Sequence, residues 1–276
     1  MPLFHYLYYF YSLILGVVQG VTEFMPVSSS GHLVILHDLF NFDLSDSIAF
    51  DVALHFGTLL AVIIYFRADL SKYIVAVLEI FIPKKIVNKK VLSEVGLLIY
   101  GTIPAAIIGF LFEEQIKYWF RNTWTVVITL IVVAILFFIA ERFAKQEKDF
   151  SEIGFGKALY IGLAQALALI PGVSRSGITI VAGMSTKLKR HEAARFSFLL
   201  SVPVILGASI FKFFDIDWLS MPRFEILLFL IGFLSSFVVG YFVIRFLMNF
   251  LQKHKLNVFA WYRLCLALVL IVWLWF

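Results

Sequence analysis

Apolar residues along this chain come in runs of two lengths. Six runs, at about 48–66, 94–112, 124–141, 192–214, 224–248 and 258–276, reach the roughly 20 residues that a helix needs to cross a bilayer. Two others are broken. Residues 12–27 give way to Val27-Ser-Ser-Ser-Gly-His32 and resume for about 33–42; residues 158–173 give way to Val173-Ser-Arg-Ser-Gly177 and resume for about 178–186. Serines and glycine at membrane depth leave backbone groups that lipid cannot satisfy, so such backbone belongs inside protein or beside a watery cavity. Each broken run therefore predicts a re-entrant helix pair joined by a polar elbow. A full helix kinked at Pro26 or Pro171 is the plainer alternative. The expected fold is all-α: a polytopic membrane protein with six transmembrane helices plus two re-entrant helix pairs.

Composition strengthens the membrane reading. The chain is 62% hydrophobic and 15% charged, against about 45–50% and 25% for a soluble domain. No Lys or Arg precedes the first apolar run, so no cleavable signal peptide is read there. The single cysteine, Cys265, excludes an intrachain disulfide. The net charge of +5 reflects loop lysines and arginines, not a nucleic-acid partner. If the first elbow enters from outside, the cytoplasmic loops hold Arg67, Lys72, Lys84, Lys85, Lys89, Lys90, Arg142, Lys145, Lys148, Lys157, Lys187, Lys189, Arg190, Arg245, Lys253 and Lys255. The exterior then holds only Lys117, Arg121, Lys212 and Arg223, which puts both termini outside.

The two elbows are related. At a constant offset of 146, residues 16–31 match 162–177 at Gly16/Gly162, Gln19/Gln165, Val27/Val173, Ser28/Ser174, Ser30/Ser176 and Gly31/Gly177. Each half, about 1–146 and 147–276, then carries one elbow and three spans. Three is odd, so the halves read as an inverted-topology repeat within a single membrane domain, with the elbows meeting at a midplane site. The symmetry fails where Ser29 faces Arg175 and Glu23 faces Leu169.

Those differences carry the candidate chemistry. Gln19 and Glu23 are four apart on one helical face, and a carboxylate in apolar sequence is costly unless it faces a cavity or a partner. Arg175 keeps its proton, and its planar fork matches phosphate oxygens. Ser28, Ser30, Ser174 and Ser176, with restarting-helix amides at Gly31 and Gly177, add donors for an anion. His32 titrates near neutrality and suits a base. Ser29 is a candidate nucleophile; water activated by Glu23 or His32 is the other. Asp51 and His55, again four apart, read as lining a headgroup entrance or as a helix-start carboxylate with its neighbour. Arg195 and Arg263 read as structural pairs or caps, and Tyr6, Tyr8, Tyr9 and Tyr11 as an interfacial aromatic belt. The set suits phosphoryl transfer on a lipid phosphate.

The run Gln19-Gly-Val-Thr-Glu-Phe-Met-Pro-Val-Ser-Ser-Ser-Gly-His32, with Pro171-Gly-Val-Ser-Arg-Ser-Gly177, closely resembles the two signatures of the bacterial undecaprenyl-diphosphate phosphatases, a family linked to bacitracin resistance. Phe50-Asp-Val-Ala-Leu-His-Phe-Gly57, Gly101-Thr-Ile-Pro-Ala105 and Ala193-Ala-Arg-Phe-Ser-Phe198 look like further family segments. The resemblance implies hydrolysis of a polyprenyl diphosphate to the carrier monophosphate for peptidoglycan synthesis. It places the chain in the bacterial inner membrane, with its site open to the outer face. It implies a divalent cation, Mg²⁺ or Ca²⁺, with Glu23 and Gln19 as metal-site residues. Glu23 then has the acidic role, Ser29 and His32 the catalytic roles, and Arg175 the phosphate-binding role. Gln19 stands first in a Glu/Gln-x-x-x-Glu pattern, which gives a metal one fewer charged ligand. Membrane lipids are implied partners, and a homodimer is left open. A lipid-phosphate or ion transporter is the rival from another class, because inverted repeats serve transport as well.

Overall fold

Without water to satisfy amides, an apolar run in lipid folds as helix. The computed structural model describes residues 2–40, 42, 44, 47–83, 88–120, 122–215 and 221–275. Apart from one short 3₁₀ turn and an isolated bridge between Lys148 and Leu188, its regular elements are α-helices. They are α1 (Pro2–Thr22), α2 (Ser29–Phe40), α3 (Ser47–Tyr65), α4 (Arg67–Glu79), α5 (Lys89–Phe120), α6 (Thr123–Phe143), α7 (Phe155–Leu167), α8 (Arg175–Ser185), α9 (Arg190–Asp215), α10 (Arg223–Lys253) and α11 (Asn257–Trp275). Among the described residues six, α3, α5, α6, α9, α10 and α11, are long and apolar enough to cross a membrane. Large apolar side chains such as Phe110, Phe211 and Phe242 point outward, as a lipid-facing surface requires. This is a multi-pass membrane protein.

Both broken runs fold as helix, elbow, helix. At 1.5 Å per residue, α2 and α8 are only about 18 and 17 Å long, well short of the roughly 30 Å hydrocarbon layer. The halves interlock: α1 packs on α10, α7 on α5, α3 on α9 and α6 on α11. Repeat-related Gly16 and Gly162 mark two of these contacts. A Cβ on Gly16 would lie 2.5 Å from the Gly232 carbonyl oxygen, and one on Gly162 would lie 2.9 Å from the Gly101 carbonyl carbon. Small residues at matching points let backbones approach closely where lipid gives no hydrophobic drive. Hydroxyls add cross-helix bonds, from Ser12 to the Leu228 carbonyl at 2.6 Å and from Ser236 to that of Leu54 at 2.9 Å. This exchange of packing partners is compatible with an inverted repeat.

Several boundaries differ from the expectation. Helix α1 begins at Pro2 because the tyrosine-rich start is helical. Tyr8 is buried in an aromatic cluster with Tyr11, Phe42 and Phe224, so the belt reading holds better for exposed Tyr6. Helix α5 runs through 113–120, read as loop, because that stretch has no glycine or proline to stop it before Asn122 caps α6 through the Thr125 amide at 2.9 Å. Residues 67–79, also read as loop, form the amphipathic α4. It buries Tyr73 and Ala76, Asp69 pairs with Arg195 at 2.9 Å, and burial together with the Glu94 carboxylate raises the Tyr73 hydroxyl above its usual range. Lys84, Lys85 and Arg121 of the charge asymmetry lie outside the described residues.

Candidate active site

The elbows are built by one local device. In the first, the chain leaves α1 at Thr22 and turns through residues 23–28. Ser28, at φ +80°, caps α2 by accepting the Gly31 amide at 3.2 Å. In the second, Ser174, at φ +70°, caps α8 by accepting the Gly177 amide at 3.2 Å. Both caps are left-handed non-glycine residues, a conformation that costs on the order of 1–3 kcal/mol and persists only where surroundings impose it. Ser30 lies 3.4 Å from Ser28 and Ser176 lies 3.3 Å from Ser174, oxygen to oxygen. The elbows also touch, with the Gly172 amide donating to Ser30 Oγ at 3.4 Å.

Ser29 and Arg175 are the first residues of α2 and α8, and Glu23 joins them. Arg175 Nη2 donates to Glu23 Oε1 at 2.6 Å, and Ser29 Oγ donates to Glu23 Oε2 at 2.8 Å. Gln19 Nε2 reaches Oε2 at 3.0 Å, and His55 Nε2 stands 3.5 Å from it. The Glu23 side chain is 4% exposed and that of Arg175 13%. Arg175 also donates through Nη1 to the Ser197 carbonyl at 3.3 Å, which aims its fork across the gap between elbows. A buried ion pair survives only when further hydrogen bonds satisfy its remaining atoms, and here they do.

His32 belongs to an adjoining group. Its Nδ1 lies 2.7 Å from the Ser28 carbonyl and its Nε2 lies 2.8 Å from the Tyr262 hydroxyl. The structure therefore pairs Ser29 with Glu23 rather than with His32. The Asp51 and His55 pair divides as well. Asp51 binds His37 at 2.9 Å, while His55 turns to Glu23 and donates Nδ1–H to the Asp51 carbonyl at 2.8 Å. Tyr262 and Thr179, whose hydroxyl lies 2.6 Å from that of Ser197, had no marker in the sequence, and Ser197 was marked only as part of the segment Ala193–Phe198. Only the topology brings them to the elbows.

Among the described residues no group of three or more His, Cys, Asp or Glu side chains is placed to hold a metal. Beside the nitrogens of Arg175 and His55, Glu23 has the Ser29 hydroxyl oxygen at 2.8 Å, and the Oε1 of neighbouring Gln19 is buried without a hydrogen-bond partner. One carboxylate with neutral oxygens fits a hard cation that keeps water and takes its other ligands from substrate phosphates.

An all-helical, multi-pass membrane protein with a buried carboxylate bonded to a partly buried guanidinium and hydroxyl between two broken helices is the class that these features define. The family described as bacitracin resistance protein BacA matches residues 12–269, and the chain belongs to that family. It is 43% identical over 257 residues to the undecaprenyl-diphosphatase of Rubrobacter xylanophilus, covering 93% of this chain and 94% of that one. It is also 43% identical over 272 residues to the undecaprenyl-diphosphatase of Alteromonas mediterranea, covering 96% and 97%. The identity to that of Alcanivorax borkumensis is 40% over 274 residues, covering 96% and 99%.

Proposed function

We propose that this protein hydrolyses undecaprenyl diphosphate to undecaprenyl phosphate and inorganic phosphate, renewing the lipid carrier for peptidoglycan synthesis. The activity named for full-length relatives favours hydrolysis over transport. The observation that carries the mechanism is the Glu23 carboxylate, bonded on one oxygen to Arg175 and on the other to Ser29. An anionic diphosphate competes with Glu23 for the guanidinium. Arg175 turns its fork to phosphate oxygens, and the serine and glycine amides of both elbows complete the cradle: Ser28, Ser30 and Gly31 on one side, Ser174, Ser176 and Gly177 on the other. Ser29 Oγ then attacks the terminal phosphorus and gives its proton to Glu23. The Oγ–P bond forms, the anhydride P–O bond breaks, and undecaprenyl phosphate leaves. Water then attacks the phosphoserine and gives its proton to Nε2 of His32, the ring nitrogen not committed to backbone; the Oγ–P bond breaks, Ser29 Oγ takes its proton back from Glu23, and inorganic phosphate leaves.

Glu23 and the free Gln19 Oε1 would hold a Mg²⁺ or Ca²⁺ shared with the diphosphate, which supplies charge neutralisation on the phosphate oxygens. His55 joins Glu23 from α3. The charge distribution of the loops supports an inner-membrane orientation with the first elbow open to the outer face. Phosphate release from C55 diphosphate by purified protein in detergent, with and without chelator, tests the reading. Release that stops with chelator is expected. No release at any cation concentration would overturn it.

A further inference from the structure

Arg263 lies in the first half of α11 and is 0% exposed. No carboxylate pairs with it among the described residues. Its guanidinium instead donates to five backbone carbonyls on three separate elements. Nη1 reaches Pro26 of the first elbow at 3.3 Å, and Nη2 reaches Gly172 and Val173 of the second at 2.8 and 3.4 Å. Nε and Nη2 also reach Leu130 and Thr129 of α6 at 3.2 and 3.1 Å. A lone cation inside a membrane protein is expensive, and such residues are kept where they serve function. Only arginine offers planar donors in several directions; lysine presents three donors at one point. Thr129 Oγ1 of α6 adds one further side-chain bond to the second elbow, to the Pro171 carbonyl at 3.0 Å. Gly172, at φ +87°, turns its carbonyl toward Arg263 in a conformation that favours glycine.

We infer that Arg263 is a positioning residue for the reaction: it clamps both elbows to α6 and so sets the gap across which Arg175 reaches Glu23 and the substrate phosphate. The inference rests on the hydrolytic reading above. Arg263 touches neither Glu23 nor Ser29, and its effect on turnover runs through the separation of the elbows.

The test compares Arg263→Gln and Arg263→Lys with Arg190→Gln. Arg190, with a side chain 12% exposed, is bonded to Glu141 at 2.7 Å through both Nε and Nη2 and bonds no elbow residue among the described residues. Full-length variants are assayed for phosphate release per folded molecule, each alone and combined with Arg175→Lys. Residues that act as one unit lose little more together than singly. In both Arg263 variants kcat should fall about 30–100-fold while KM moves less than about 3-fold, and adding Arg175→Lys should cost less than about a further 3-fold. Arg190→Gln should lower thermal stability yet keep kcat within about 3-fold, with the full Arg175→Lys penalty on top. Should the glutamine variant not fold, Arg263→Lys, which keeps the charge, carries the comparison. Turnover of Arg263→Lys within about 3-fold of the parent, or multiplicative loss with Arg175→Lys, would overturn the clamp. If the parent itself releases no phosphate, the hydrolytic reading has failed instead. Affinity for a methylene-bridged, non-hydrolysable diphosphate lipid then reads the clamp without turnover. Coupled losses in affinity support it, and independent losses sink it.

Discussion

The two elbows share a backbone and differ in chemistry. Ser28 and Ser174 adopt the same left-handed turn, cap the next helix at the same 3.2 Å, and each bring a second serine alongside. Yet the position after the cap is Ser29 in one elbow and Arg175 in the other, and the residue six before it is Glu23 in one and Leu169 in the other. The serine-capped turn is thus present twice, while the charged and hydroxyl groups are divided. One elbow holds hydroxyl and carboxylate, the other a guanidinium. Had both carried Glu23 and Ser29, two buried carboxylates would face each other without a cation. Had both carried arginine and leucine, the guanidinium charges would be unpaired. Division of labour is what lets a buried charged site exist between the copies.

If the elbows enter from opposite faces, cysteines at Asp38, beyond the first, and at Ser185, beyond the second, should react with an impermeant reagent from opposite sides. The labelling should be all-or-none, in a Cys265→Ala background. Labelling from one side would end the inverted relation. Next, Glu23→Gln keeps the shape but removes the proton acceptor, and turnover should fall roughly 10²–10⁴-fold. Glu23→Leu, which gives the first elbow the residue of the second, should do at least this. It should also destabilise the fold by about 3–5 kcal/mol, because the buried Arg175 charge loses its partner. Thermal unfolding and phosphate release together separate the two costs. Arg175→Lys keeps the charge but loses the fork. One charge-assisted bond is worth about 1.5–3 kcal/mol, so a loss on the order of 10–100-fold in kcat/KM is expected with the fold intact. The smallest effects test the shared backbone. Ser28→Ala and Ser174→Ala should each cost about 1 kcal/mol of stability and match within a few tenths. Unequal costs would mean the caps differ in more than sequence position.

Much of this was legible in the residues. The six spans, both elbows and the placing of Glu23 and Arg175 in one shared site follow from hydropathy and from the offset repeat, whereas their ion pair was not read from the sequence. Helix α4 was not legible, because Arg67, Asp69 and Lys72 break an apolar run while still leaving one buried helical face. The reach of α5 to Phe120 was hidden for a related reason: Glu114, Gln115 and their neighbours are polar but good helix formers. Side-chain partners were the least legible. His55 turns to Glu23 and His32 to Tyr262 because α3 and α11 pass the first elbow, and no local spacing records that. Arg263 carried a usable signal, since an arginine in an apolar span must have acceptors. Which carbonyls it takes depends on two elbows that lie 91 and 237 residues away in the chain.

The central claim is that the first elbow supplies the reacting oxygen and its proton acceptor while the second holds the phosphate. It is tested most directly by the stereochemistry at phosphorus. A lipid diphosphate made chiral at its terminal phosphate, through sulfur and oxygen isotopes, can be hydrolysed in isotopic water by the purified protein and the released thiophosphate analysed. Attack by Ser29 followed by water makes two in-line displacements, so the account predicts net retention, abolished along with turnover in Ser29→Ala. Net inversion would mean that water attacks directly, and would contradict the assignment of Ser29 and Glu23 as nucleophile and base.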